Sequence, residues 1–400
     1  MTKRLNLHTL KVLTSVTVIF SMVSLILFSQ LRSRYNKERS LKAWTLQKFR
    51  TKLKKLGYEP VEDHAFKSPF IINPNLYPQV KRANQTTKII SIYNCPKFFK
   101  NDACDAYNKD FKDCEYKCIL DLEGHRHLEA DVLVFFTGYR SSTQPVRPPG
   151  QIWVKAMWES PTNYVYPGNF SQWRNVFNWT FNYRVDSDIF APNNLFAWRD
   201  RDQLLSKKTY LEIARNKTKM AVWWVSNCYT QSKREIFTKE LKKYIDVDIF
   251  GYCGPLNCPK ATKEECEKML TTTYRFYLSF ENSLCRDYVT EKFFRNFNRH
   301  HVIPVARGGF NYRKYIPPGG YVDASQFPNA SSLARHLKKL AANKKKYAKM
   351  LREKDKLVPL NRKFDWCDIC KKVHTNNRTK VIPNIAVWSH YNKCQKARDL

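Results

Sequence analysis

Apolar residues gather along the chain in short runs of strand length, separated by stretches whose apolar positions recur at helical spacing. Residues 88–93 (KIISIY), 116–120, 131–136 (DVLVFF) and 152–157 are the first such runs, with polar, helix-compatible connections between them. A charged stretch at 200–218 marks a domain boundary. Beyond it the pattern predicts strand 220–225 (MAVWWV), an amphipathic helix at 232–244, strand 247–250, helix 262–270 and strand 275–281. A helix from Asp287 follows, on the spacing of Val289, Phe293, Phe294 and Phe297, then strand 301–306 and a helix at 331–356. Repeated alternation of strand and helix implies parallel strands in doubly wound α/β sheets. No internal repeat or low-complexity segment interrupts it.

Residues 12–31 (VLTSVTVIFSMVSLILFSQL) carry no formal charge, and a run of about 20 residues is long enough to cross a bilayer. Arg32, Ser33 and Arg34 follow it in place of a small-residue cleavage site, which favours an uncleaved anchor. Basic residues flank both ends (Lys3, Arg4 and Lys11; Arg32, Arg34, Lys37 and Arg39), so charge alone does not orient the span. The N-x-S/T sequons do: Asn84, Asn169, Asn178, Asn216, Asn329 and Asn377 all lie after it, as do all 12 cysteines. That distribution favours a glycosylated, oxidising compartment for the body. The expected organisation is type II: cytosolic tail 1–11, anchor 12–31, basic stem 32–87, an α/β domain at 88–205, a second at 206–360, and a closing segment 361–400.

A hydrophobic content of 43% excludes a disordered chain. The formal charge of +35 admits a nucleic-acid binder. The charges are spread along the chain, however, and no zinc-finger or RNA-recognition signature accompanies them, so a solvated basic surface attractive to anionic ligands is the better reading.

Candidate chemistry concentrates in residues 275–296, RFYLSFENSLCRDYVTEKFFRN. A buried strand gives way to a polar loop with Glu281, Asn282 and Ser283. A helix then begins with Asp287 as the expected N-cap and Glu291 and Lys292 in its first turns. Helix starts of this kind favour anions. Upstream, Glu159 stands where strand 152–157 meets a Ser-Pro turn, at a sheet edge where open α/β folds place ligands. In YRVDSDIFAP, Asp186 and Asp188 invite a metal reading; they are read instead as structural or donor-side, not as a metal site. Gly308 and Gly309, after the last strand, would let backbone approach a ligand. Cys367 and Cys370 form C-x-x-C, Cys114 and Cys118 form C-x-x-x-C, and zinc, redox and disulfide readings compete, with disulfides favoured. Cys253 and Cys258, around a Gly-Pro turn, are expected to close a local loop.

FYLSFENS followed by DYVTEK resembles the signature of the α1,3/4-fucosyltransferases, glycosyltransferase family 10, over roughly residues 88–394. The resemblance implies a GT-B fold, two Rossmann-like domains facing a cleft. It also implies a Golgi membrane enzyme that transfers fucose from GDP-β-L-fucose with inversion to a GlcNAc hydroxyl of a glycoprotein or glycolipid. In PPGQIWVKAMWESP it makes Glu159 the catalytic base, with Trp158 a contributor to its desolvation. Lys292 and Arg234 become the cations that stabilise the departing diphosphate. Asn282, Tyr277, Glu291, Ser226 and Asn227 become donor contacts, with Tyr288 a weaker one. No obligate metal is implied, although a divalent cation such as manganese can stimulate; a homodimer is compatible, and nucleic acid is not a partner. Cys367 and Cys370 would bridge to cysteines among Cys95, Cys104, Cys114 and Cys118. The chain departs from the family pattern at Phe135 and Phe136, where many members carry a His pair, and at Cys228 and Cys285. An inactive carbohydrate-binding protein, or an inverting GT-B transferase with another donor, are the alternatives.

Overall fold

A computed structural model describes residues 66–72, 86–93, 114–136, 144–163, 171–258, 263–298, 300–360, 366–376 and 380–400. The expected tail and anchor, most of the stem, Asn84, Asn169, Asn377, Cys95 and Cys104 lie outside the described residues. Among the described residues, no helix is long and apolar enough to cross a membrane. All of them except Phe66 belong to one compact unit, 67–400.

Strands β1 Lys88–Tyr93, β2 Cys118–Asp121, β3 Val132–Phe136, β4 Ile152–Met157, β5 Trp179–Asn182 and β6 Ile189–Phe190 form a parallel sheet in the order β2-β1-β3-β4-β5-β6. After β7 Phe196–Trp198 the chain builds a second parallel sheet from β8 Lys219–Trp224, β9 Val247–Phe250, β10 Tyr274–Phe280, β11 Ile303–Arg307 and β12 Val322–Asp323, ordered β12-β11-β10-β8-β9. Strand β13 Leu357–Pro359 pairs antiparallel with β7, tying the exit of the second sheet to the exit of the first.

The helices are α1 Lys207–Asn216, α2 Arg234–Lys242, α3 Lys263–Thr272, α4 Glu291–Phe294, α5 Tyr312–Tyr315, α6 Ala330–Ala342, α7 Lys344–Asp355, α8 Trp366–Thr375 and α9 Ile385–Ser389. Phe276, Leu278 and Phe280 of β10 pack with Phe237 of α2 and Leu333 and Leu337 of α6. Tyr277, one position out of phase, packs on the opposite face with Leu270 of α3. The helix expected over 331–356 is two: Asn343 ends α6 and caps α7, accepting a hydrogen bond from Lys346 N at 2.9 Å, as a side-chain amide does at a helix start.

The closing segment covers both faces of the first sheet. Val132, Val134 and Phe136 of β3 pack with Trp366 and Ile369 of α8, whereas Leu133 and Phe135 pack with Trp153, Phe177 and Ile385 of α9. Phe135 and Phe136 are therefore core residues, 1% and 6% exposed.

Cys367 and Cys370, expected to bridge to two of Cys95, Cys104, Cys114 and Cys118, are bonded to Cys114 and Cys118 respectively. Cys118, Cys370 and His374 cluster closely, but the two sulfurs are bonded to each other and offer no thiolate pair to a metal. The local Cys253–Cys258 bridge does not form. Strands β8 and β9 are parallel neighbours, so Cys228 and Cys253 beyond their ends stand side by side and pair; Cys258 joins Cys266 of α3. Cys285 pairs with Cys394.

One sequon is corrected. Asn178 is 3% exposed, its Oδ1 accepts from Trp153 N at 2.9 Å, and its Nδ2 donates to Lys380 O at 2.9 Å, so the amide is committed to the fold. Asn216 and Asn329 are exposed, Asn329 as the N-cap of α6.

Burial also sets a pH dependence. Desolvation pushes the His300 and His390 imidazoles from 6.5 down to about 4, opposed at His300 by the Glu267 carboxylate and reinforced at His390 by the Lys155 ammonium. Between those values the unfolded chain binds protons that the folded chain refuses, so these groups add stability as pH rises from 4 to 6.5 and lose it as pH falls. Thermal melts from pH 7 to 4.5 should show a smaller fall in Tm for the His300→Gln, His390→Gln double variant than for the parent chain.

Candidate active site

In the second sheet, chain order runs from β8 outward to β9 and then back across to β10, so the strand order reverses between β8 and β10. Open α/β sheets bind ligands at the carboxyl ends of strands beside such a reversal. The two loops there carry Ser226 and Asn227, both exposed, and Glu281, Asn282 and Ser283, all buried. Arg234, at the start of α2, lies beneath them at 3% exposure. It donates to Phe280 O at 2.8 Å and to Asn227 O at 3.1 Å, joining the loops through their backbone. Desolvation lowers its affinity for the proton, against the opposing pull of Glu281 and Glu235.

The expected helix start is rearranged. Asp287 is not an N-cap: its φ of 59° is left-handed, and its carboxylate accepts from Val185 N at 3.4 Å. Thr290 caps α4, which continues as the 3-10 turn Arg295–Phe297. The anion at this helix start is the protein's own. Glu281, fully buried, accepts from Thr290 N at 2.8 Å and from Thr290 Oγ1 at 2.8 Å. Burial raises its pKa, and the nearby Lys292 ammonium opposes that rise. Lys292 Nζ lies 3.5 Å from Glu281 Oε2 and 2.9 Å from Glu291 Oε1. Desolvation works against the Lys292 charge, but the two carboxylates outweigh it and hold its pKa above the usual value.

Glu159 stands beyond the carboxyl end of β4, a central strand of the first sheet, partly exposed. Its Oε1 accepts from Ser160 N at 2.8 Å, Asn163 Nδ2 at 3.0 Å, Asn282 Nδ2 at 3.4 Å and the Tyr288 hydroxyl. Burial, reinforced by Glu281 and Glu159, holds the Tyr288 phenol far above its usual pKa, which keeps it a donor. Beside this contact, Ser160 Oγ and Ser283 Oγ meet at 2.7 Å, and Thr162 Oγ1 lies 2.7 Å from Ser283 Oγ. Two loops more than 120 residues apart are thus hydrogen-bonded, one from each sheet. Trp158, expected to contribute to the desolvation of Glu159, packs in the core with Phe136 and Phe181, at ring distances of 5.1 and 4.9 Å.

Of the candidate residues, Glu159, Asn282 and Tyr288 meet directly, and Lys292, Glu291, Arg234, Ser226 and Asn227 line or underlie the same loops. Tyr277 does not join them: strand alternation buries it at 1% exposure on a sheet face, with Arg295 over its ring. Asp186 pairs with Arg184 and Asp188 with Lys380, each at short range, so both carboxylates serve the fold. Ser232 and Arg307 belong to the site scaffold but went unread in the sequence, because their partners Glu281 and Asp399 are distant in the chain.

The Gly-Gly pair has a different use from the expected one. A Cβ on Gly309 would fall 2.3 Å from Cys285 O and 2.6 Å from Cys285 N. The close approach is to the site loop itself, and that loop is tied by the Cys285–Cys394 bond. Gly309→Ala is expected to cost about 3 kcal/mol in denaturant unfolding, since neither backbone can give way.

Comparison with known proteins adds an independent line. The profile described as glycosyltransferase family 10 (fucosyltransferase) C-term matches residues 214–388, and that of the fucosyltransferase N-terminal region matches residues 83–194. Alpha-(1,3)-fucosyltransferase C of Drosophila melanogaster is 35% identical over 267 residues, covering 62% of this chain and 61% of that protein. Glycoprotein 3-alpha-L-fucosyltransferase A of the same species is 35% identical over 205 residues, 51% of this chain and 40% of that protein. Alpha-(1,3)-fucosyltransferase 4 of Bos taurus is 36% identical over 249 residues, 60% of this chain and 61% of that protein. The matched region thus spans less than two thirds of each relative. A crystal structure described as alpha1,3-fucosyltransferase with GDP-fucose shares the fold, with a TM-score of 0.50 at 18% identity over 76% of this chain and 95% of that one.

Proposed function

Since the chain belongs to glycosyltransferase family 10, the fucosyltransferases, we propose that it transfers L-fucose from GDP-β-L-fucose to a GlcNAc hydroxyl of a glycoprotein or glycolipid glycan. In this reading the two parallel sheets are the halves of a GT-B enzyme, and the loops between them hold donor and acceptor. Glu159 takes the proton from the acceptor hydroxyl as its oxygen attacks the anomeric carbon from the face opposite GDP. The bond from that carbon to the β-phosphate oxygen breaks, GDP leaves with the electron pair, and the configuration inverts.

Lys292 supplies positive charge beside the departing diphosphate, and Arg234 adds to it from beneath the loops. Fixed cations of this kind can serve where other transferases use a divalent metal. Asn282 and Glu291 offer directional hydrogen bonds to sugar hydroxyls. The protein is read as a Golgi type II membrane enzyme with its body in the lumen, on the strength of the uncharged run at 12–31 and the cysteines and sequons after it.

The observation that carries the reading is the contact of Glu159, from the first sheet, with Asn282 and Tyr288, from the donor-side loop of the second. It gives a carboxylate from one half access to a ligand held by the other. The test is incubation of the purified chain with GDP-fucose and two acceptors, an N-glycan with an exposed core and a Gal-GlcNAc oligosaccharide, with product linkage read by NMR. An α-linked fucose on either acceptor is expected. GDP binding without transfer to any acceptor would instead indicate an inactive carbohydrate-binding protein.

A further inference from the structure

Residues 389–400 lie beyond the segment matched by the family profile, which ends at 388, yet they engage the loop that carries Asn282 and Tyr288. Cys394 is bonded to Cys285 in that loop. Gln395 N donates to Leu284 O at 2.8 Å, and Arg286 N donates to Lys393 O at 2.7 Å. The Gln231 side chain spans the two, donating to Gln395 O at 2.7 Å and accepting from Leu284 N at 2.9 Å.

Asp399 makes the deepest contact. Its carboxylate accepts from both Nε and Nη2 of Arg307 at 2.7 Å. Arg307 ends β11, is 3% exposed, and lies over the Phe237 ring at 4.6 Å. Its Nη1 donates to Ser232 O at 2.9 Å. Ser232 in turn donates from Oγ to Glu281 O at 2.7 Å and from N to Asn282 O at 3.0 Å. A chain of contacts therefore runs from Asp399 through Arg307 and Ser232 to the backbone of Glu281 and Asn282. A buried guanidinium needs its charge balanced, and a bidentate carboxylate fixes its plane as well as its charge.

We propose that residues 391–400 form a strap that positions the nucleotide-sugar side of the site, with Asp399 as a positioning residue acting through Arg307 and Ser232, and Cys394 as its covalent tie. The inference rests on the fucosyltransferase reading for the identity of the ligand, but not for the strap itself. Without the Asp399 carboxylate, the Arg307 guanidinium reorients towards solvent, Ser232 loses its anchor, and the backbone of Glu281 and Asn282 is no longer held in place on the nucleotide-sugar side.

The test compares the full chain with Asp399→Asn, Asp399→Glu and Cys394→Ser, reading GDP affinity by calorimetry, KM for donor and acceptor, kcat and Tm. Asp399→Asn is expected to weaken GDP and raise the donor KM about tenfold, the scale of a lost charged hydrogen bond. Acceptor KM should stay within about twofold and kcat within about threefold, the pattern of lost ground-state binding. Asp399→Glu should recover most of the loss, and Cys394→Ser should move the same quantities in the same direction. If Asp399→Asn fails to fold, the other two variants carry the test. Unchanged GDP affinity and donor KM, whatever the Tm, would reduce the strap to a purely structural tail and overturn the proposal. A gain in GDP affinity would also overturn it, by showing Asp399 to be a competitor of the ligand. GDP binding weakened by Asp399→Asn in a chain that transfers no fucose would uphold the strap and sink the fucosyltransferase reading instead.

Discussion

Removing the Cys114–Cys367 and Cys118–Cys370 bonds together, by alanine at all four positions, is expected to cost about 8 kcal/mol, roughly 5 for the long loop and 2–3 for the short ring that the second bond adds. The two bonds close loops with sequence separations of 253 and 252 residues, so the unfolded chain regains a large conformational freedom when both are absent. That cost is comparable to the whole stability of many domains, roughly 5–15 kcal/mol. The packing compounds it, since Trp366, Ile369 and Cys370 of α8 are buried against the first sheet and rely on those bonds to stay there. Removing either bond alone should cost only about 2 kcal/mol, because the other already closes nearly the same loop and only a short ring is released. Guanidinium unfolding of the two paired variants and the quadruple variant measures this directly. A quadruple variant that loses no more than the sum of the two single removals would contradict it.

Strands were the most legible part of the sequence. β1, β4 and β9 fall on their expected bounds because each is a short, mostly apolar run ended by polar or turn-forming residues, and β4, buried along its whole length, reads as a parallel strand covered on both faces does. Helices were legible where a stripe of apolar residues faces a sheet, as in α2. They were misjudged where one side chain decides the outcome. Asn343 splits a continuous helical pattern into α6 and α7 by capping the second. Asp287 looked like a cap by residue type, but a left-handed backbone at that position moves the helix start three residues on, to Thr290.

The site was legible by composition and less so by connection. Glu159, Asn282 and Tyr288 could be named as candidates, yet nothing local indicated that they would meet, since the contacts join residues more than 120 positions apart. Glu281 stood out as a polar residue after an apolar strand, but its use as the internal anion of α4 depends on burial. Tyr277 shares a motif with Glu281 and Asn282, but strand alternation buries it on a sheet face, away from that loop. Bridges between Cys228 and Cys253, or Cys285 and Cys394, follow from strand adjacency and tail packing, neither of which has a sequence signal.

The account turns on Glu159 as a proton acceptor held between the two sheets. Glu159→Gln keeps the shape of the side chain and an oxygen able to accept from Tyr288 and Asn282, but its amide cannot take a proton. Loss of a positioned base typically lowers kcat by about 10²–10⁴-fold. Donor binding should be nearly unaffected, because Lys292, Arg234 and the loops after β8 and β10 are untouched. The measurement is kcat for fucose transfer and the Kd for GDP on the same preparations of wild type and Glu159→Gln, with Tm as the check on folding. A fall in kcat of at least about a hundredfold, with GDP affinity within about threefold of wild type, is the predicted result. Transfer retained within about tenfold of wild type by a folded Glu159→Gln protein would place the base elsewhere and contradict the account.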